Sequence, residues 1–364
     1  MDAPLTGVRV VETAGYVSGP FAGMMLADLG AEVVKVEPAR GEPARRFGLR
    51  YRGVSALGLN VNHGKDCVEL DLKSDGGRAR LRDLLAAADV FLQNWRPGVA
   101  ESLGFGAAEV CAAHPRLVYA TVSGFGPQGP RATAPVFDSL LQATSGIAAY
   151  EAIDGRPTIV RSYLADKTTA TFAAQAVLAA LLARERTGRG TRVEVSMLDV
   201  MGYFDFPDVG QDRTFLGPGA EVDLAPGRTP LVRTSDGWIA VAPVRGAQLA
   251  AAVAAVGHPE WVENLKRAPN PTALTEELYR LLETVTRDLT TAECERRFVD
   301  ADVPVAPVLT VDQHLADPQT VSNDLYVVVD GPVGPMRRVR HPARVDGERL
   351  PLSRTAAPPA GTGA

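Results

Sequence analysis

The sequence predicts an α/β protein: a parallel sheet flanked by helices, followed by a smaller α+β part. Three features of the chain point there. Valine- and leucine-rich runs recur at 7–12, 32–37, 69–72, 90–93 and 117–123, separated by turns or by stretches with helical spacing. The first two runs enclose a helix-forming stretch, giving strand, helix and strand within about thirty residues. With 364 residues, 46% hydrophobic and 22% charged, the chain has the balance of a soluble globular protein of roughly two domains.

Taken in order, GVRVVE (7–12) is the first strand, and GYVSGPFAGMMLADLGA reads as a turn and a helix. Ser18 stands near its cap, Pro20 lies close to the first helical position, and Gly30 closes it. The second strand is EVVKVE (32–37), and ELDL (69–72) is the next. Leu81, Leu84 and Leu85 then mark one helical face. A strand at 90–93 runs into the turn 94–98 (NWRPG), a helix is expected at 107–113 and a strand at 117–123. After the Gly/Pro-rich loop GFGPQGPRATAPVFD, Asp138 heads a largely apolar helix, SLLQATSGIAAY. The alanine-rich run 168–183 carries almost no charge and reads as a buried helix, ended by Arg184, Arg186 and Gly188. A strand at 192–197 follows.

Beyond it, 205–228 reads as a linker or substrate loop, and LVRTSDGWIAVAPV as a hairpin turning at Ser235, Asp236 and Gly237. Short helices between 246 and 301 complete a small domain. The stretch 303–311 reads as a strand returning to the larger body, and the tail from 350 as disordered. The expected division is therefore a large domain over 1–204, a linker over 205–228, a small domain over 229–302, a return segment over 303–349 and a tail over 350–364.

Asp166 stands directly before the alanine-rich run, and two readings stay open for it. It is among the preferred N-cap residues, and it is equally a carboxylate able to act as a nucleophile or base in a cleft. Asp138 presents the same choice between cap and second carboxylate. Gly15, Gly19 and Gly23 do not make GxGxxG, although Glu37 ends the second strand where a dinucleotide fold places its ribose-binding acid. What remains is a helix N-terminus suited to an anion. Arg40 and Arg96 suit phosphate contacts, and Trp95 suits stacking on a base.

Several classes are disfavoured. A net charge of −5 leaves no basic footprint for nucleic acid. The three cysteines are scattered, and the five histidines show no ligand spacing, which argues for a reducing compartment and no metal site. No stretch is long and apolar enough for a membrane span, and the opening residues lack the pattern of a signal peptide, so the expected location is cytoplasmic.

In these motifs the chain resembles the class III coenzyme A transferases, the family of formyl-CoA transferase and carnitine CoA-transferase, whose fold is shared with 2-methylacyl-CoA racemase. The resemblance covers nearly the whole sequence. It rests on GVRVVE with GPFAGMMLADLGAEVVKVEPARG, ELDLKSDGG, NWRPG, SGFGPQGP, FDSLLQATSG, RTGRGTRVEVSMLD, DGWIAVA and VPVAPVLTVDQHLADPQ. It implies a large Rossmann-like CoA-binding domain, a smaller α+β domain and an interlocked homodimer. It also implies acyl-CoA and a carboxylic acid as substrates, with no metal. The family's catalytic aspartate falls on Asp166, which forms a mixed anhydride and then an aspartyl-CoA thioester. Asp138 matches an acidic position near the reacting centre. The implied CoA contacts are Val17, Ser18, Arg40, Leu70, Asp71, Leu72, Lys73, Asn94, Trp95, Arg96, Pro135, Val136 and Phe137.

The chain also departs from its relatives. Val17 and Gly15 stand where the formyl-CoA enzyme has glutamine and histidine, which argues against formyl or oxalyl substrates. Pro135 replaces the lysine of the thioester loop, and the run of glycines guarding the aspartate is absent. Phe137, Val17 and Phe21 point to an apolar acyl pocket. The racemases carry a histidine before the acid matching Asp138; here it is Phe137, so two-sided proton transfer lacks a partner. A racemase or epimerase and a non-catalytic CoA-binding protein are the alternatives.

Overall fold

Six parallel strands make the sheet of the larger unit: β1 (Arg9–Glu12), β2 (Glu32–Glu37), β3 (Lys65–Glu69), β4 (Val90–Gln93), β5 (Val118–Ser123) and β6 (Arg192–Ser196). They lie in the order β3-β2-β1-β4-β5-β6. The direction of winding reverses between β1 and β4, which opens a crevice past their carboxyl ends, the usual ligand position in such sheets. The computed structural model describes residues 3–217 and 229–354. The chain divides into two units, Met1–Gln211 with Asp324–Ala364, and Asp212–Asn323.

Side-chain alternation along the strands builds two cores, one on each face of the sheet. Val10, Val90, Leu92, Val118, Ala120 and Val122 point to one face. There they meet α1 (Ser18–Asp28) and a helix of 24 residues, Leu164–Thr187. Val11, Phe91 and Tyr119 point to the other, against Leu81 and Leu85 of Asp75–Ala86. The long helix buries Ala165, Ala170, Ala173, Ala174, Val177, Ala180 and Leu181, a stripe at helical spacing, while Leu182 faces outward. It ends as expected: Gly188 takes φ +71° and its N–H bonds to Arg184 O at 2.8 Å.

Several boundaries differ from the sequence reading. The long helix starts at Leu164, so Asp166 lies inside its first turn rather than at its cap. The third strand is KDCVE (65–69), and 69–72 only overlaps its end. A buried Lys65 interrupts the apolar pattern there and hides the strand. The helix headed by Asp138 breaks at Gly146 (φ +101°) into α2 (Asp138–Ser145) and Ile147–Tyr150. Residues 205–209, read as linker, finish a helix, Met197–Val209, that has Pro207 inside it. Residues 218–228 of that stretch lie outside the described residues.

In the second unit the hairpin Leu231–Arg233 with Trp238–Val241 forms as expected. Its core gathers Ile239, Val241, Leu278, Leu282, Cys294 and Phe298. The stretch 303–311 does not return to the larger body: Val305–Pro307 pairs antiparallel with Trp238–Val241 and completes a three-stranded sheet. Of the tail read as disordered, 350–354 are pinned. Ser353 Oγ donates to Asp28 Oδ1 (2.6 Å), and Gly64 N–H donates to Arg354 O (2.8 Å). Residues 355–364 lie outside the described residues.

Candidate active site

Three helix N-termini meet at the carboxyl end of the sheet: α1 at Ser18, α2 at Asp138, and the long helix, hereafter α3, at Leu164. Each leaves backbone N–H groups unpaired within its own helix, so the region favours negative charge. A cavity of about 950 Å³ opens there, with Asp166 and Asp138 in its wall.

Asp166 is the third residue of α3. The cap position is Tyr163, which makes no side-chain cap bond. The Asp166 backbone N–H donates to Asp138 Oδ1 at 3.0 Å. The hydroxyl and backbone N–H of Ser18 lie on the same cavity wall, close enough to the Asp166 carboxylate to favour its ionised form. Burial, and then the negative charge of Asp138, push the Asp166 carboxyl up to about 7, against the Ser18 donors, which favour the ionised form. The group therefore ionises near neutral pH. Asp138 is not a cap either, since Phe137 holds that position. Its second oxygen, Oδ2, accepts from Gln142 Nε2 at 2.7 Å. Gln142 in turn clamps the cavity wall, donating to Ser162 O (3.2 Å) and accepting from Val160 N–H (2.9 Å).

The turn between β1 and α1 is held from two sides. Asn94 accepts from Gly15 N–H (2.9 Å) and donates to Gly15 O (2.8 Å). Glu42 Oε2 accepts from Tyr16 N–H at 2.9 Å. Beneath the turn lies a buried set of charges. Lys35 Nζ pairs with Glu12 Oε1 at 2.7 Å and reaches Glu42 Oε1 at 3.7 Å; Lys65 Nζ pairs with Glu12 Oε2 at 2.8 Å. Arg45 forks onto both oxygens of Glu37 at 2.6 Å. Burial, opposed by Glu12 and added to by the nearby Lys35, lowers Lys65 to about 8.

Of the residues singled out in the sequence, Val17, Ser18, Asn94, Trp95, Arg96, Val136, Phe137, Asp138 and Asp166 all line this cavity. Pro135 is exposed and does not, although Ala134 and Val136 beside it do. Arg40 is exposed in the turn after β2, away from the lining. Leu70 and Leu72 pack with Trp95 against the core. Asp71 Oδ1 accepts from Lys73 N–H at 3.0 Å, and Lys73 is exposed. Phe21 belongs to the core rather than the cavity. Sequence reasoning missed Tyr16, Phe47, the segment 159–163 and Lys167, all of which line the cavity. No spacing or motif marks them; Tyr16 declares itself only through its backbone angle.

Among the described residues no group of three or more His, Cys, Asp or Glu side chains is placed to hold a metal ion. Nor is any helix among them long and apolar enough to cross a membrane.

The profile described as CoA-transferase family III matches residues 5–363. The chain is 32% identical to the acetyl-CoA:oxalate CoA-transferase of Acetobacter aceti, covering 98% of this chain and 92% of that one. It is 31% identical to the succinyl-CoA–D-citramalate CoA-transferase of Chloroflexus aurantiacus, over 90% of this chain and 84% of the relative. A crystal structure of a CAIB/BAIF family protein from Brucella suis superposes with a TM-score of 0.85 at 27% identity, covering 98% of this chain and 97% of that one. The chain belongs to CoA-transferase family III and is an enzyme that transfers coenzyme A.

Proposed function

We propose that this enzyme is an acyl-CoA:carboxylate CoA-transferase in which Asp166 carries first the acyl group and then the CoA. The Asp166 carboxylate attacks the thioester carbonyl carbon, the C–S bond breaks, and CoA leaves as the thiolate. The thiolate attacks the aspartyl carbonyl of the resulting mixed anhydride, releasing the donor acid and leaving an aspartyl-CoA thioester. The acceptor carboxylate attacks that thioester and expels the thiolate. The thiolate then takes the acceptor's acyl carbon and frees Asp166. Each step exchanges one activated acyl bond for another, so no activation energy is lost to water.

The observation that carries this reading is the placement of Asp166 in the cavity wall with Ser18, the first residue of α1, at the sheet's switch point. A carboxyl near 7 is more basic, and so more nucleophilic, than an ordinary one, yet still ionised in useful amount at neutral pH. Asp138 raises that basicity and anchors the Asp166 backbone. Val17, Ser18, Asn94, Trp95, Arg96, Val136 and Phe137 are proposed as the inner CoA contacts, and Arg40, Leu70, Asp71, Leu72, Lys73 and Pro135 as outer ones. The acceptors named for its relatives, oxalate and D-citramalate, are carboxylic acids, which supports a carboxylate acceptor here. A racemase would need a second base beside Asp138, where this chain has Phe137. An interlocked homodimer and a cytoplasmic location belong to the same proposal; light scattering on the purified protein tests the assembly.

The test of the mechanism is trapping. With acyl-CoA and hydroxylamine, mass spectrometry should find a hydroxamate on Asp166, and Asp166→Ala should abolish CoA exchange. Absence of the adduct during turnover, or full activity in the alanine variant, refutes it.

A further inference from the structure

Tyr16 holds a left-handed backbone, φ +65°, a conformation uncommon for bulky residues and costly unless the surroundings enforce it. The enforcing group is Glu42, buried beneath the turn, whose Oε2 accepts the Tyr16 N–H and whose Oε1 accepts from Asn62 Nδ2 at 2.8 Å. Nothing in the turn's hydrogen bonding needs a side chain at this position, because Asn94 binds the Gly15 backbone and Glu42 takes the Tyr16 N–H. Glycine or asparagine would sit there without strain. What tyrosine adds is its ring.

That ring meets the edge of Phe137 at 5.4 Å between centroids and lies alongside Phe47 at 6.2 Å. All three line the cavity that holds Asp166, and they stay 40%, 58% and 52% exposed for Tyr16, Phe137 and Phe47. Phe137 directly precedes Asp138, which binds the Asp166 N–H, and Tyr16 is two residues before Ser18, whose donors favour the ionised Asp166 carboxylate. The aromatic wall therefore stands on the same segments that bear on Asp166, in the same cavity. Among the described residues no arginine or lysine lies over any of these rings. The cations of the lining sit on other segments: Arg96 after β4, Arg161 before α3, and Lys167 in its first turn, where it donates to Ser162 Oγ.

We infer that Tyr16, Phe47 and Phe137 form the acyl subsite and that it takes an aryl or branched-alkyl monocarboxylic acyl group in preference to a short dicarboxylic one. The inference rests on reading the cavity as an acyl-CoA site. An apolar acyl group exchanges water for ring surface. A second carboxylate would lose its hydration against rings whose faces are negative and would find no partner among them. Because the backbone at Tyr16 is already fixed, the wall stands ready before substrate arrives.

Binding of two unreactive thioethers, S-phenethyl-CoA and S-carboxyethyl-CoA, tests this without any chemistry. Their ratio of affinities cancels the contribution of the shared CoA. In the native enzyme the phenethyl compound should bind about tenfold tighter or more, within the range apolar pockets achieve. Tyr16→Asn tolerates the left-handed backbone and removes the ring, and should bring the ratio close to one; Phe137→Leu should lower it part of the way. A native ratio at or below one overturns the inference, as does a ratio unchanged in both variants. The hydroxylamine experiment separates the two readings. A hydroxamate on Asp166 with no preference for the phenethyl compound sinks the subsite alone, and a clear preference without a hydroxamate sinks the mechanism alone.

Discussion

Replacing Asp166 by asparagine should remove activity and, at alkaline pH, make the protein more stable. The Asp166 carboxyl ionises near 7 in the folded chain, against a reference value of 3.8. Between those values the folded protein keeps a proton that the unfolded chain has released. Stability therefore falls as pH rises through the window, and the loss is complete above about 7. At about 1.36 kcal/mol per unit, the cost of the aspartate is roughly 1.6 kcal/mol at pH 5 and roughly 4 kcal/mol at pH 8, an upper bound because the side chain is partly solvated. Asparagine keeps the shape, can still accept from Ser18 and does not titrate. The stability gap between variant and native protein should therefore widen in the variant's favour by up to about 2–3 kcal/mol from pH 5 to pH 8. Calorimetry on both proteins across that range reads it as a melting-temperature difference that grows by several degrees. Parallel melting curves over pH 5–8 would refute the account of Asp166 as a half-buried carboxyl that keeps its proton to near neutral pH.

Other consequences follow from the same contacts. In the native enzyme kcat/KM should rise with pH through about 7 as Asp166 ionises. Ser18→Ala removes a donor that favours the ionised form, so this rise should move to higher pH by about one unit, a shift a merely structural defect would not produce. Glu12→Gln leaves Lys35 and Lys65 buried without their shared partner. It should cost about 3–5 kcal/mol in urea unfolding.

Much of the larger unit was legible because its strands are apolar and its long helix is capped by ordinary signals at its C-terminus. Gly188 and the arginines before it marked that end. The N-terminus of the same helix was not legible. Ser162, Tyr163 and Leu164 carry no cap pattern, and Asp166 imitated one. β3 was displaced because a buried lysine in a strand looks like a solvated one until its partner on another strand is known. The stretch 303–311 was legible as a strand but not its partner in the second unit, since periodicity does not name one. At the site, residue type and order brought Asp166, Asp138, Ser18 and 94–96 forward. Tyr16 and Phe47 stayed hidden because their meeting depends on a backbone angle at one and a short 3₁₀ turn, Pro43–Arg46, before the other.

The charges beneath the first turn join three neighbouring strands: Glu12 ends β1, Lys35 sits opposite it on β2, and Lys65 opens β3. A slip of one place in any of them would turn a charged side chain to the opposite face and leave Glu12 facing apolar surroundings. That misalignment would carry a penalty of several kcal/mol, whereas valines alone would slide past one another cheaply. The three side chains thus fix the register of the sheet where the cavity opens, and with it the place of Ser18 relative to Asp166.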